Sequence, residues 1–415
     1  MKFNKWTLGL AAVGAVSLAS AVRADEAKII PLQTTLANTT ISGYVDTAVQ
    51  YNAGNQGYGN YAYGSSYYGY EYNNQPPGTS PSKIDNFSLN DIDIAIDKPV
   101  DSTPWAAGYH ADLNFGTDAV GYGAPASGVY YNEYGYNNNN APAVRQAYVA
   151  LSTPVGNGIT WKMGIQDDII GYEGNTDGAN PNYTRSVGYF LEPTTLLGLV
   201  GTYQINSLFT VQAGIADVTP LSSGDGELSA KTYVGAVAFT APDSWGFLKG
   251  GTANVGILAN PEKYGQFNYY AGFTIPTPLS VLKVGGSFDL VSVNNSSNHN
   301  QGNNNNDSGW ALGGYANVQA TDKLSFNLRG EVYDLKGGVN PYSTDYELKS
   351  ANGVGEELTA TVQYNLWANV TSRAEFRWDH SDEGTPFGSS ANSNGEGASV
   401  DADSFILALN VIYSF

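Results

Sequence analysis

DSFILALNVIYSF, residues 403–415, is the stretch from which the rest of the chain is read. Counting back from Phe415 by twos gives Tyr413, Val411, Leu409, Leu407 and Phe405, all apolar or aromatic. Between them lie Ser414, Ile412, Asn410, Ala408, Ile406 and Ser404, which are smaller and partly polar. Successive side chains of a strand point to opposite faces, so this is a strand with one strongly apolar face. It is also long enough, when tilted, to cross a bilayer. The last strand of a soluble sandwich would alternate in the same way, so the remaining sequence has to separate the two.

Working back from it, period-2 runs predict strands at 40–52, 84–98, 103–115, 144–154, 158–167, 194–206, 207–217 and 230–241. Further strands are predicted at 246–259, 266–276, 280–293, 309–321, 323–334, 355–366, 369–379 and 403–415, which makes sixteen. Their connections alternate in length. Brief turns are expected at Lys98–Ser102, Pro154–Asn157, Asn206–Ser207, Asp243–Trp245, Thr277–Leu279, Thr321–Lys323 and Leu366–Ala368. Long links follow the odd-numbered strands, for example 116–143, 168–193, 335–354 and 380–402. Short turns on one side and long loops on the other are the habit of a transmembrane antiparallel up-and-down β-barrel, with short periplasmic turns and long extracellular loops. A soluble sandwich has no reason to segregate its loops over the whole chain.

Several strands carry two distinct faces. Trp105, Ala107, Tyr109, Ala111, Leu113 and Phe115 are expected outside, with His110, Asp112 and Asn114 inside. Leu324, Phe326, Leu328 and Val332 face out while Asn327, Arg329 and Glu331 face in. Val370, Ala374, Phe376 and Trp378 alternate with Arg373, Glu375, Arg377 and Asp379. A cation facing lipid at the midplane costs about 2–4 kcal/mol, so this parity is forced. Two strands break it. Between Leu89 and Ile92 the apolar parity switches, which requires a bulge, and 144–151 is ambiguous.

At the N-terminus Lys2 and Lys5 precede an apolar run from Trp6 to Val22, and Val22-Arg23-Ala24 offers a cleavage site. The expected organisation is an export signal at 1–24, a short periplasmic segment at 25–39 and a barrel over 40–415. Removing Lys2, Lys5 and Arg23 takes the formal charge from −19 to −22. That balance argues against a nucleic-acid partner, which needs clustered cations. The chain has no Cys, and therefore neither disulfides nor thiolate metal sites. It has 30 Tyr, 49 Gly and 14% charged residues, a turn-rich composition that favours strands. Its mildly negative mean hydropathy suits a barrel, because only alternate strand residues meet lipid. Sixteen strands leave an aqueous channel where about eight would fill with side chains.

Between Val144 and Gly201 the residues Arg145-Gln146-Ala147-Tyr148, Gly156-Asn157-Gly158, Gly164, Ile170-Gly171-Tyr172-Glu173, Asn180-Pro181-Asn182-Tyr183-Thr184-Arg185-Ser186 and Glu192-Pro193 stand in order. Together with Ile41-Ser42-Gly43-Tyr44-Val45-Asp46 they resemble the OmpL-like beta-barrel porin family of the bacterial outer membrane. The C-terminal Phe415, with an aromatic two residues earlier, likewise resembles the signal read by the barrel-assembly machinery. The resemblance implies a channel for passive diffusion of small hydrophilic solutes or ions, surrounded by outer-membrane lipid and lipopolysaccharide, with a homotrimer as one expected assembly. By analogy with sixteen-stranded porins, the loop 168–193 is expected to fold into the lumen. Asp167, Asp168, Glu173, Asp177 and Arg185 would then lie near a constriction, with Arg329, Arg373 and Arg377 across it. Alternatively these charges satisfy one another or hold the loop.

No enzyme is expected, and no cofactor. The histidines His110, His299 and His380 stand in no metal-ligand or nucleophile-elbow spacing. Carboxylates around Asp225, Glu227, Asp382 and Glu383 suggest surface solvation, with divalent cations as a second use. The alternative to a channel is a non-transport barrel whose loops serve adhesion, sugar binding or surface structure. Its motive is the tract Tyr51–Gln75, rich in Tyr, Asn and Gly.

Overall fold

Strand polypeptide in a bilayer must bond every N–H and C=O to a neighbouring strand, which leaves a closed cylinder as the stable form. The computed structural model has that form, a closed antiparallel barrel of sixteen strands. It describes residues 38–53, 86–101, 103–116, 118, 124–125, 143–193, 195–217, 231–261, 265–294, 306–336, 353–382 and 402–415. The expected export signal, most of the segment at 25–39, the tract Tyr51–Gln75 beyond Ala53, His299, Asp225, Glu227 and Glu383 lie outside these residues.

The strands are β1 Thr40–Ala53, β2 Asn86–Lys98, β3 Ala107–Phe115, β4 Ala143–Thr153 and β5 Ile159–Asp167. Next come β6 Thr195–Gln204, β7 Phe209–Asp217, β8 Lys231–Thr240, β9 Thr252–Asn260 and β10 Gln266–Pro276. The last six are β11 Leu282–Asn294, β12 Asn306–Gln319, β13 Leu324–Lys336, β14 Gly353–Trp367, β15 Val370–Ser381 and β16 Asp403–Ser414. A two-residue piece, Ala124–Pro125, also pairs with β4. Each strand bonds to the next, and β16 closes on β1 with Tyr44 opposite Ser414 and Ala53 opposite Phe405. Beyond the strand, Gly43 and Phe415 exchange both backbone hydrogen bonds.

The sequence placed one boundary early because Asp243–Leu248 coils as a 3-10 turn before β9 starts at Thr252. Before β3, Trp105 sits in a turn at φ 61° rather than on the strand. No helix among the described residues is long and apolar enough to cross a membrane.

Both irregular strands are bulged. Asp46 pairs with Asp91 but Thr47 pairs with Leu89, so Asn90 is the extra residue and both Asn90 and Asp91 turn inward, fully buried. Opposite β3, Asp112 pairs with Gln146 and Leu113 with Val144, so Arg145 is extra and Arg145 and Gln146 both point inward. A bulge adds one residue to one strand of a pair, which lets the apolar parity reverse without breaking the ladder.

Candidate functional site

The connection between β5 and β6, residues 168–193, lies inside the barrel, bonded to inward side chains. Its own sequence shapes it first. Asn180 Nδ2 donates to the carbonyls of Gly174 at 2.7 Å and Thr176 at 3.0 Å, while its Oδ1 accepts from Gly174 N–H at 2.9 Å. That closes a turn ahead of Pro181. Ser186 then caps a short helix α1, Val187–Leu191, its Oγ accepting from Tyr189 N–H at 3.1 Å. Serine at this position satisfies a donor that the first helical turn leaves open.

The barrel wall then holds the loop by its main chain. Arg373 donates to the carbonyls of Asp177 at 3.0 Å, Asn180 at 3.1 Å and Asn182 at 2.9 Å. Arg329 reaches the carbonyls of Thr184 at 2.6 Å and Arg185 at 3.1 Å, and Arg377 that of Arg185 at 2.6 Å. Between the arginines, Glu375 accepts from Tyr183 N–H at 2.6 Å and Thr184 N–H at 2.9 Å. Glu331 accepts from Val187 N–H at 2.6 Å and Gly188 N–H at 3.2 Å. Buried peptide groups must find partners, and here alternating cations and anions on β13 and β15 supply them. Bonds to charged groups each contribute about 1.5–3 kcal/mol.

Ion pairs complete this network. Arg329 meets Glu173 at 2.8 Å and Glu357 at 3.1 Å, Arg185 meets Asp177 at 2.8 Å, and Arg377 meets Asp379 at 2.7 Å. Thus six of the eight residues singled out from sequence, Glu173, Asp177, Arg185, Arg329, Arg373 and Arg377, share one buried seat. The three wall arginines lie beneath the loop, touching it, rather than across a gap from it. Asp167 stands apart, bound by Arg145 at 2.9 Å and by Asn175 at 2.8 Å, with 40% of its side chain exposed. Asp168 has Asp289 and Glu192 as acidic neighbours. Burial first, then the charges of Asp167 and Asp289, push its carboxyl well above the usual range.

The side of the loop towards β6–β10 and β12 is apolar. Ile169, Ile170 and Tyr172 pack with Leu196, Val200, Ala216, Val234, Ala236, Leu258, Tyr270 and Tyr315. The Tyr172 ring stacks on Tyr315 with centroids 3.8 Å apart, and its hydroxyl accepts from Thr274 at 3.0 Å. A smaller cluster joins Tyr183 and Val187 to Tyr333, Leu335 and Ile406.

Sequence reasoning had placed Glu331, Glu375 and Asp379 on the inner face without giving them a role. Glu357 was missed, although its alternation with Leu358 marks it as inward. Arg145, which pairs with Asp112 and Asp167, was hidden by the bulge that it occupies. Of the histidines, His110 hydrogen-bonds Asp97 at 3.0 Å and stacks on Tyr148, and His380 hydrogen-bonds Asp403 at 2.8 Å. Among the described residues no group of three His, Asp or Glu side chains is arranged to hold a metal ion.

Solved outer-membrane barrels share this architecture. The outer membrane channel DcaP of Acinetobacter baumannii aligns at TM-score 0.57 and 11% identity, over 92% of this chain and 99% of that one. OmpT, an outer membrane protein of Vibrio cholerae, aligns at TM-score 0.55 and 12% identity, over 93% and 100%. The anion-selective porin from Comamonas acidovorans aligns at TM-score 0.51 and 11% identity, over 91% and 99%. Identities this low establish the fold alone. No curated protein matches the chain in sequence. The profile of one family, described as "Putative beta-barrel porin-2, OmpL-like", matches residues 38–415, and the chain belongs to that family of bacterial outer-membrane barrels.

Proposed function

We propose that the protein is a passive channel for small hydrophilic solutes or ions, without catalytic activity or cofactor, and that loop 168–193 sets its narrowest section. The observation that carries this reading is a loop drawn into a wide barrel and held there by the wall. A sixteen-stranded cylinder leaves an aqueous bore, and an inserted loop narrows it without closing the barrel on itself. Glu173, Asp177, Arg185, Arg329, Arg373 and Arg377 act on permeation by fixing the loop. Asp167 keeps 40% of its side chain exposed while Arg145 and Asn175 hold it. It therefore meets a passing ion directly, and its sign agrees with the cation preference that the net charge suggests. Asp168 acts at the loop's first hinge.

Outer-membrane lipid and lipopolysaccharide surround the apolar rind in this reading. Three barrels associate, as OmpT is described in a trimer form. The test is planar-bilayer conductance of the purified, folded protein, with sugars of graded size as blockers. Single-channel steps that larger sugars fail to reduce support the reading. A folded protein that passes no current overturns it. Asp167→Asn is expected to lower cation preference without changing the size cut-off.

A further inference from the structure

A row of inward side chains crosses the wall from β2 to β5. Asp97 stands opposite His110, His110 opposite Tyr148, and Tyr148 opposite Gly164, all in register. Strand side chains alternate, and the neighbours Val149 and Met163 are 50% and 66% exposed on the outer surface, so the row faces the lumen. Gly164 brings no side chain to the row. Tyr148 is met instead by Lys162, two residues earlier on the same face of β5, whose Nζ lies 4.5 Å from the ring centroid. On the other side His110 stacks on Tyr148 with centroids 5.2 Å apart, and its Nδ1 bonds Asp97 at 3.0 Å.

Partners are divided unevenly along this wall. Asp97 is engaged by His110, and Asp112 by Arg145. Among the described residues the Lys162 ammonium makes no ion pair and no hydrogen bond, and the Tyr148 hydroxyl makes no hydrogen bond. Both side chains are part-exposed. Two kinds of donor that no protein acceptor occupies therefore stand together on the inner face.

We propose that Lys162 and Tyr148 form a subsite for the carboxylate of a small organic solute in transit, with His110 as the positioning residue that holds the ring. This rests on the channel reading above. A carboxylate is acceptor-only and presents two oxygens, one for the ammonium and one for the phenol hydroxyl. The bond to the ammonium is charge-assisted, so it is stronger than a bond between neutral groups. Asp97 and Asp112 flank His110 on the same face, with Asp112 Oδ2 at 3.8 Å from its Nε2. Their fixed negative charge disfavours a dianion, which separates a carboxylate from a phosphate. The subsite is opposite in sign to Asp167, so the bore meets cations at one point and carboxylates at another.

The experiment uses acetate as the probe. Reversal potentials in acetate and chloride gradients are measured across bilayers holding the folded protein, and acetate binding to the same protein in detergent is followed by saturation-transfer NMR. The unaltered protein is expected to bind acetate saturably and to pass it, relative to chloride, better than their mobilities in water allow. Tyr148→Phe keeps the ring beneath Lys162 and removes only the hydroxyl, at a cost of about tenfold in acetate affinity, one hydrogen bond to a charged group. Lys162→Met abolishes saturable binding and returns the acetate-to-chloride ratio to that of free solution, while Lys162→Arg retains both. Acetate binding that is equal in the unaltered protein, Tyr148→Phe and Lys162→Met means that the lysine only packs on the ring, and overturns the subsite. Inorganic phosphate bound as tightly as acetate at mildly alkaline pH overturns the choice of a carboxylate. A folded protein that carries no current but binds acetate through Lys162 supports the subsite and overturns the channel reading instead.

Discussion

Two arcs of the inner wall hold the same loop by opposite means. On β13–β15, Arg329, Glu331, Arg373, Glu375 and Arg377 grip peptide groups between Asp177 and Gly188 through directed, charge-assisted bonds. On β6–β9, Leu196, Val200, Ala216, Val234, Ala236 and Leu258 offer an apolar face to Ile169, Ile170 and Tyr172. Apolar burial is non-directional, so this arc adheres with little to fix position beyond one bond, from Asn254 Nδ2 to the Ile169 carbonyl at 3.2 Å. The charged arc does fix position, because a displacement of a few ångströms breaks a run of hydrogen bonds together. Adhesion comes chiefly from one side and register chiefly from the other.

Arg329→Ala should expose that division most sharply. It strands Glu173 and Glu357 in a buried site, a loss of about 3–5 kcal/mol for a broken buried pair. The expected outcome is a large fall in the unfolding temperature, read by heat-modifiable gel migration, with noisy and enlarged conductance. Replacing Arg329, Glu173 and Glu357 together by Met, Gln and Gln should restore much of the thermal stability, since a whole buried network can be exchanged at little net cost. If the triple variant is no more stable than the single one, the arc stabilises by packing and the comparison breaks. Ile170→Ala removes packing from the apolar arc, at about 2–5 kcal/mol. It should lower the unfolding temperature yet leave conductance well defined, because the charged arc still sets the register. Arg373→Lys comes next. A single ammonium cannot span the three carbonyls of Asp177, Asn180 and Asn182, so about 1–3 kcal/mol is expected to go, with faster exchange at 177–184. Asp167→Asn should have the smallest effect on stability and show itself in reversal potential alone.

The charged arc was legible in the sequence and the apolar arc was not. On β15 the run Arg373, Glu375, Arg377, Asp379 alternates with Ala374, Phe376 and Trp378, so polarity alone assigns the faces. On β6 both faces are apolar: Leu196 and Val200 point in while Leu197 and Leu199 point out. Alternation cannot separate sides of equal polarity, and an expectation of a wet lumen hid a packed one. The strand count and loop rhythm were readable because a barrel's geometry imposes them everywhere. That the wall arginines lie under the loop, rather than facing it across water, was not readable. It depends on how deep the loop descends, which no local pattern encodes. The bulge at Asn90 announced itself as a parity switch, whereas the one at Arg145 left only an ambiguous strand.

A holder that takes hold of backbone amides and carbonyls is indifferent to how the segment is spelled. Arg373 reads the Asp177 carbonyl whatever residue stands next to it, and Gly178 is exposed, with only Ile412 near enough, at 3.9 Å, to touch an added methyl. New side chains grafted at Gly178 would therefore repaint the bore while the mount stays put, which makes the barrel a cassette for tailored selectivity.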